Sequence, residues 1–289
     1  MASVDRQMRT GYVGMVGPAN TGRSSLLNAL VGKRISPVSK QPGTTRVPLT
    51  GLNLGRDFQL CIVDTPPISR NPDLEVLHWL DVVCLVLDAR HLMEQIRMPA
   101  IRHYVAADVP VVCAVSFLDY FPDPLQPSFL NMASVNGRFS SVNGVCPPSG
   151  QGVDRLLSTL IAQLPRRGAL FPRECQSLHS ERFLVSELIR TQLYEVLPWR
   201  IADTTAVQIQ EFSFRDGKTY VRANLHVARH SNKGVVIGRK GRTLQEIVTA
   251  AGGEASKVLG RAVRLDLWVK VREAWPDTPS DLLEFGYVC

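Results

Sequence analysis

The chain has 289 residues, of which 45% are hydrophobic and 20% are charged. This is the composition of an ordinary globular protein with enough apolar residues for two domain cores. No apolar run in the sequence approaches the roughly 20 residues of a membrane-spanning helix. The formal net charge is +7, and residues 166–289 contribute +5 of it. A basic C-terminal part suggests a polyanionic partner, either nucleic acid or an anionic membrane surface.

The N-terminus and the cysteines indicate the cellular setting. The first ten residues are too short and polar for a signal peptide, so we expect a cytoplasmic protein. The six cysteines are scattered and form no C-x-x-C pair. We therefore expect reduced core residues rather than metal ligands or disulfides.

The first predicted strand, residues 12–16, is followed directly by a glycine-flanked loop, which is the main functional motif of this part of the chain. There Gly17 and Gly22 flank a short loop that opens a helix at 23–31. Backbone N–H groups of such a loop, and the free N–H groups at the helix start, favour an anion. The usual pattern, G-x-x-x-x-G-K-[ST], is matched at both glycines and at Ser24, but Arg23 stands in place of lysine. The segment predicts a phosphate-binding loop.

Short runs of Val, Ile, Leu and Cys predict five more strands, at residues 47–53, 59–63, 82–87, 110–115 and 143–146. Further helices are predicted at 93–106, 127–135 and 152–164. This alternation predicts a mostly parallel sheet with helices on both faces, an α/β fold. Ligands of such sheets bind at the carboxyl ends of the strands, where Asp64 and Asp119 also lie.

Five short segments together resemble the GTPase domain of the Era family. They are residues 17–24, 41–46 with the sequence QPGTTR, 64–67 with DTPP, 116–119 with SFLD, and 145–147. The resemblance implies GTP or GDP with Mg²⁺ as the bound cofactor. It also implies the nucleotide-binding residues, which are Gly17, Asn20, Thr21, Gly22, Arg23, Ser24, Ser25, Thr44, Thr45, Asp64, Ser116 and Asp119.

The same resemblance implies the metal ligands. Ser24 and Thr45 would bind Mg²⁺ directly, with Thr44 as the alternative threonine, and Asp64 would bind it through water. Asn20 matches a position that the family associates with a potassium ion. No catalytic residue can be assigned.

Four departures from the family pattern change the chemistry that we expect. Arg23 is wider than lysine, and Pro67 has no N–H to offer a γ-phosphate. Ser116 and Phe117 replace the Asn and Lys that brace the loop and the base. We therefore expect nucleotide binding or hydrolysis to be weakened. The alternatives are a fully active GTPase that tolerates the substitutions and a vestigial loop that only packs.

A Pro/Gly/Arg-rich break at 164–172 precedes the second part of the chain. A helix is predicted at 180–190, followed by strands at 206–212 and 219–227 that an Asp-Gly turn joins. A last strand is predicted at 263–271. With two helices between the second and last strands, this is the order of a type II KH domain, an α+β fold.

The loop between those two helices carries V-I-G-R-K-G-R, the KH signature. Two glycines let the loop approach a single-stranded backbone, and basic residues add charge. The predicted RNA-binding residues are Val236, Ile237, Gly238, Arg239, Lys240, Gly241 and Arg242. We expect Val236, Ile237 and Ile247 to line an apolar groove.

Aromatic and histidine side chains of this part are not assigned to RNA or metal binding. Trp199, Trp268 and Trp275 are interpreted as core or domain-packing residues rather than base-stacking ones. His226 and His230 are expected to be groove-side or solvated and not metal ligands.

Residues 265–272 and 282–287 resemble the C-terminus of the Era family, so the resemblance covers nearly the whole chain. It implies a GTPase domain at 10–165, a linker at 166–180 and a type II KH domain at 181–289. It further implies binding to the 3′ end of small-subunit ribosomal RNA, a role in small-subunit assembly, and a monomer. Peripheral membrane association is an alternative partner, although no basic amphipathic helix supports it.

Overall fold

A computed structural model describes residues 8–33, 35, 49–65, 67–68, 79–106, 108–172 and 179–285. The described residues up to 172, apart from Ile35, form one compact unit. Residues 179–285, together with Ile35, belong to a second. In these ranges no helix is both long and apolar enough to cross a membrane.

A seven-stranded sheet forms the centre of the first unit. Its strands are β1 (Met8–Val16), β2 (Leu49–Leu54), β3 (Phe58–Asp64), β4 (Val82–Asp88), β5 (Val111–Ser116), β6 (Ser141–Gly144) and β7 (Arg166–Arg167). The order is β2-β3-β1-β4-β5-β6, with β2 antiparallel to β3 and the short β7 antiparallel to the start of β1. The remaining pairs are parallel, so the carboxyl ends of β1, β3, β4, β5 and β6 lie along one edge.

Helices cover both faces of this sheet. They are α1 (Arg23–Val31), α2 (Leu92–Ile96), α3 (Pro99–Val105), α4 (Gln126–Asn136) and α5 (Val153–Gln163). Val83, Leu85 and Leu87 of β4 pack with residues of α2, α3 and α4. The intervening residues of β4 are buried as well, which explains why the strand is apolar throughout. The predicted mostly parallel α/β architecture is confirmed.

The single helix predicted at 93–106 is wrong, because the structure has two helices there. Met98 adopts φ −59° and ψ 129°, outside the helical region, and Pro99 is the first residue of α3. Proline has no N–H to continue a helix and disfavours a helical residue before it. Met98 and Pro99 therefore separate α2, which ends at Ile96, from α3, which begins at Pro99.

The cysteines of the central strands are core residues, as predicted. Cys61, Cys84 and Cys113 lie in β3, β4 and β5, are buried and are not in disulfides. Burial raises the pKa of the Cys84 thiol to about 12 and also raises that of Cys113. Both thiols stay protonated at neutral pH and are poor nucleophiles.

The second unit is an α+β domain with a three-stranded sheet. Its elements are α6 (Glu181–Val196), α7 (Trp199–Asp203), β8 (Thr205–Arg215), β9 (Lys218–Val227), α8 (His230–Ile237), α9 (Arg242–Leu259), β10 (Val263–Val271) and α10 (Pro279–Glu284). The strand order is β10-β9-β8, with β8 antiparallel and β10 parallel to β9. The predicted sequence of elements is found, with the short helices α7 and α10 added.

Residues that follow β10 cover part of the outer face of this sheet. The ring of Phe285 stacks on His226 with centroids 4.8 Å apart, and Trp275 is fully buried beside it. His226 is only 6% exposed, so its predicted solvated or groove-side position is wrong. Trp199 and Trp268 are 52% and 57% exposed, so only Trp275 of the three tryptophans is the predicted core residue.

Candidate nucleotide and RNA sites

The predicted phosphate-binding loop lies between the end of β1 and the start of α1. A side chain at Gly17 would place its Cβ 2.4 Å from the carbonyl oxygen of Val86, so only glycine fits there. Gly22 has φ 84° and is the N-cap of α1. Among the described residues, no side chain caps α1 and its first turn has no acidic residue. The N–H groups of that turn are placed to receive an anion.

Three further predicted residues shape the same loop. The hydroxyl of Thr21, which is buried, donates to the carbonyl of Pro18 at 3.1 Å. Asn20 is exposed and has φ 62°, a conformation that asparagine tolerates better than most residues. Ser25 is half-buried in the first turn of α1.

Arg23 does not extend into solvent but is buried beneath the end of β3. Its Nη1 donates to the carbonyl oxygen of Thr65 at 2.5 Å and lies 3.7 Å from Oδ1 of Asp64. Burial lowers the pKa of Arg23, and the charge of Asp64 opposes that effect. The guanidinium of arginine is not deprotonated in proteins, so Arg23 keeps its positive charge. Contacts to a bound phosphate would compete with these two.

The residues present fit a magnesium ion. Ser24 donates from Oγ to Oδ2 of Asp64 at 3.0 Å, and Asp64 is fully buried. Hydroxyl and carboxylate oxygens are the ligands that Mg²⁺ prefers, and a bound ion would neutralise phosphate charge. Thr44 and Thr45, the predicted switch ligands, lie outside the described residues. Arg23 is a competing positive charge beside Asp64.

At the base end of the site, Ser116 retains a connection to the phosphate loop. Its buried hydroxyl lies 2.7 Å from the carbonyl oxygen of Thr21 and 3.0 Å from that of Leu87. Ser116, which replaces the family asparagine, therefore still contacts the phosphate loop. Serine performs the bracing with a shorter side chain.

Phe117 follows Ser116 in a left-handed conformation, with φ 58°. The guanidinium of Arg90 lies 4.1 Å from the centroid of its ring. Asp88 holds Arg90 through an ion pair of 2.6 Å between Oδ2 and Nη2, and this hydrogen-bonded pairing raises the pKa of Arg90. Asp119, one of the predicted nucleotide-binding residues, is exposed close by.

Sequence analysis did not identify Arg90 as part of this site. The only signal was the pair of acidic and basic residues directly after β4, in which Asp88 also accepts a hydrogen bond from the Arg90 backbone N–H at 2.8 Å. Such a pair is common at helix starts and does not predict a contact with a distant phenylalanine.

In the second unit, the predicted RNA loop joins α8 to α9 through a tight turn. Gly238 has φ 74° and ψ 173°, and a Cβ there would lie 2.1 Å from Oγ1 and 2.8 Å from the backbone N of Thr243. Lys240 and Gly241 have φ of 53° and 76°. A Cβ at Gly241 would meet nothing within 4 Å, so conformation rather than space favours glycine there.

Three basic side chains surround this turn. Arg239, Lys240 and Arg242 are all exposed. Throughout the residues that the structure describes, none of the three side chains has a hydrogen bond or an ion pair. Their charge is not neutralised by nearby carboxylates, which leaves it available for a phosphate backbone.

The apolar residues beside the loop differ from those predicted. Val236 and Ile247 are fully buried in the core of this unit. Their side chains therefore do not line the open groove that was predicted for them. Ile237 is half-buried, and Val235, which was not predicted, is 43% exposed. Because neighbouring helical residues point about 100° apart, a shift of one residue exchanges a core side chain for a surface one.

Comparisons with known protein families agree with both units. Residues 12–116 match the family described as 50S ribosome-binding GTPase, and residues 200–276 match the KH domain family. The chain is 34% identical to the GTPase Era of Xanthomonas axonopodis pv. citri, over 99% of this chain and 100% of that protein. The GTPase Era of Nitratidesulfovibrio vulgaris is 31% identical, with 96% of each chain covered.

Two solved Era structures resemble the whole chain. One is an Era variant from Aquifex aeolicus bound to GDP·AlF₄⁻, with a TM-score of 0.87 and 28% identity over 98% of this chain and 100% of that one. The other is Era in complex with MgGDPNP and nucleotides 1506–1542 of 16S ribosomal RNA, with a TM-score of 0.86 and the same identity and coverage. From its two domain matches and its full-length relatives, the chain belongs to the Era family of GTPases.

Proposed function

We propose that this chain binds the 3′ region of 16S-type ribosomal RNA and assists assembly of the small ribosomal subunit. Arg239, Lys240 and Arg242, exposed without partners around the glycine turn, carry the proposal. Clamping a single-stranded backbone needs close approach and positive charge, and this turn supplies both. Ile237 and Val235 supply apolar surface beside it.

The similarity to Era bound to nucleotides 1506–1542 of 16S RNA supports the choice of RNA. The proposal includes a GTPase domain at 10–165, a linker at 166–180, a KH domain at 181–289 and a monomeric state. Membrane association is not part of it.

The proposal assigns guanine nucleotide with Mg²⁺ to the phosphate loop of the first unit. Gly17 and Gly22 shape the loop, Ser24 and Asp64 hold the metal, and Asp119 recognises the base. Nucleotide handling is weakened relative to the family pattern, because Arg23 is bound at Thr65 and Asp64, and Pro67 has no N–H. A potassium ion at Asn20 belongs to the same proposal.

RNA binding is tested with a fluorescent RNA of the 16S segment 1506–1542 and a scrambled RNA of equal length. The variant R239Q/K240Q/R242Q is expected to bind the 16S segment at least tenfold more weakly. The matched control K218Q/R229Q/R264Q loses the same charge from exposed positions of the same unit and is expected to bind normally. Equal affinity of both variants for the RNA would contradict the proposal.

The second candidate function is a fully active GTPase that controls RNA binding. Two observations favour it: Ser116 still braces the loop at Thr21, and Asp119 remains exposed. Titration with GTP and GDP in Mg²⁺ and K⁺, followed by a single-turnover hydrolysis assay, distinguishes the fully active GTPase from a protein with weakened nucleotide handling. Tight binding with RNA-stimulated turnover would establish this second function, whereas weak binding without turnover supports weakened handling.

A further inference from the structure

One cavity of the first unit lies at the opposite edge of the sheet from the phosphate loop. Its volume is about 490 Å³, and α2, α3 and the segment after α4 enclose it. After α3 the chain enters β5 at Val111, and after α4 it enters β6 at Ser141. The cavity therefore lies at the amino ends of these parallel strands, whereas the phosphate loop follows the carboxyl end of β1.

Apolar side chains form the inner wall of this cavity. Ile96 and Ile101 are buried, while Met93, Val105 and Phe139 are half-buried and open toward it. They belong to three separate segments of chain, so the wall is a product of the fold rather than of one helix. Such a surface binds an apolar or planar molecular body.

Arginines from the same three segments surround the opening. Arg97, Arg102 and Arg138 line the cavity and are exposed. For the chain as far as the structure describes it, their guanidinium groups have no hydrogen bond or ion pair, and the cavity lining includes no Asp or Glu. Three uncompensated positive charges beside an apolar wall are complementary to an anion with an apolar body.

We propose that this cavity is a binding site for a small phosphorylated molecule with an apolar or planar body. The planar guanidinium fork binds phosphate through two parallel hydrogen bonds. It therefore favours a phosphate over an anion that offers only one acceptor atom. The volume falls within the roughly 300–1,000 Å³ of small-molecule sites. This site is separate from the nucleotide and RNA sites proposed above and needs neither of them.

The probe is 1-anilinonaphthalene-8-sulfonate, an aromatic anion whose fluorescence rises in apolar surroundings. The full-length chain is expected to bind it saturably at one site. Phenyl phosphate is expected to displace it more strongly than benzoate, and benzyl alcohol not at all. In the variant R97Q/R102Q/R138Q the affinity is expected to fall at least tenfold.

The control variant R56Q/R155Q/R166Q removes the same charge from exposed positions of the same unit and is expected to bind the probe normally. Thermal unfolding of each variant verifies that it is folded. Unchanged affinity in R97Q/R102Q/R138Q or an equal loss in the control would overturn the proposal. Stronger displacement by benzoate than by phenyl phosphate would overturn the assignment of phosphate.

Discussion

The hydroxyl of Ser116 lies 2.7 Å from the carbonyl oxygen of Thr21, so the last residue of β5 is hydrogen-bonded to the phosphate loop. Both residues are buried, and water does not compete for the bond. The base end and the phosphate end of the nucleotide site are thereby held at a fixed separation. This connection makes the loop dependent on one small hydroxyl.

Replacing that hydroxyl tests the connection. We expect Ser116→Ala to destabilise the protein by about 1 kcal/mol, the net value of a typical buried hydrogen bond. The affinity for GDP should fall several-fold, because the loop loses its brace. Urea unfolding and GDP titration measure the two effects. The control Ser158→Ala removes an exposed hydroxyl from α5 and should change neither; equal GDP affinity of all three proteins would show that the brace is dispensable.

Arg23→Lys is expected to strengthen binding of GDP at least tenfold in the presence of Mg²⁺. Lysine restores the compact ammonium that reaches the phosphates in P-loop proteins. The substitution also removes the guanidinium group that contacts Thr65 and lies beside Asp64. Isothermal titration measures the change, with Arg155→Lys on the exposed face of α5 as the control. If Arg23→Lys weakened binding, the arginine itself would be the phosphate ligand.

The two glycines of the RNA loop should respond differently to alanine. Gly238→Ala forces a contact of 2.8 Å with the backbone N of Thr243, so we expect at least a tenfold loss of RNA affinity and a visible loss of stability. Gly241→Ala meets no atom and costs only its left-handed conformation, about 1 kcal/mol. Adding Thr243→Ala should rescue Gly238→Ala only in part, because the backbone contact persists. RNA titration and thermal unfolding of these three variants and of the wild-type protein measure the differences.

Salt dependence provides an independent measure of the phosphate contacts. Each contact to a single-stranded backbone contributes about 0.7 to the slope of log affinity against log salt. Loss of Arg239, Lys240 and Arg242 should therefore lower the slope by about 2. RNA affinities between low and physiological salt provide the slope. An unchanged slope in R239Q/K240Q/R242Q would mean that these side chains do not contact phosphates.

His226 should make the stability of the second unit depend on pH. Burial lowers its pKa, and the charges of Arg272 and Lys270 lower it further. The unfolded chain then binds a proton more readily than the folded one, so stability falls as pH decreases below about 6.5. His226→Gln should remove this part of the pH dependence. Urea unfolding of both proteins between about pH 7.5 and 5.0 measures this pH dependence. If the free energy of unfolding changed with pH equally in both proteins, His226 would not be its source.

Periodicity and composition predicted the parallel sheet because strands such as β4 are buried on both faces and apolar throughout. The glycine loops were predictable because they need backbone conformations that few other residues adopt. The contact of Arg90 with Phe117 could not be predicted from the sequence. It depends on how the ends of β4 and β5 lie side by side in the folded sheet. Val235 was missed because the glycine motif does not determine the rotational phase of α8.

The parallel pairing of β9 with β10 has a consequence for biosynthesis. The RNA loop lies within the connection between these two strands, so a nascent chain presents it before the sheet that anchors it is complete. Only after residues 263–271 have left the ribosome can β10 pair with β9 and close the crossover. The loop between α8 and α9 is therefore anchored on both sides only once β10 has been synthesised and has paired with β9.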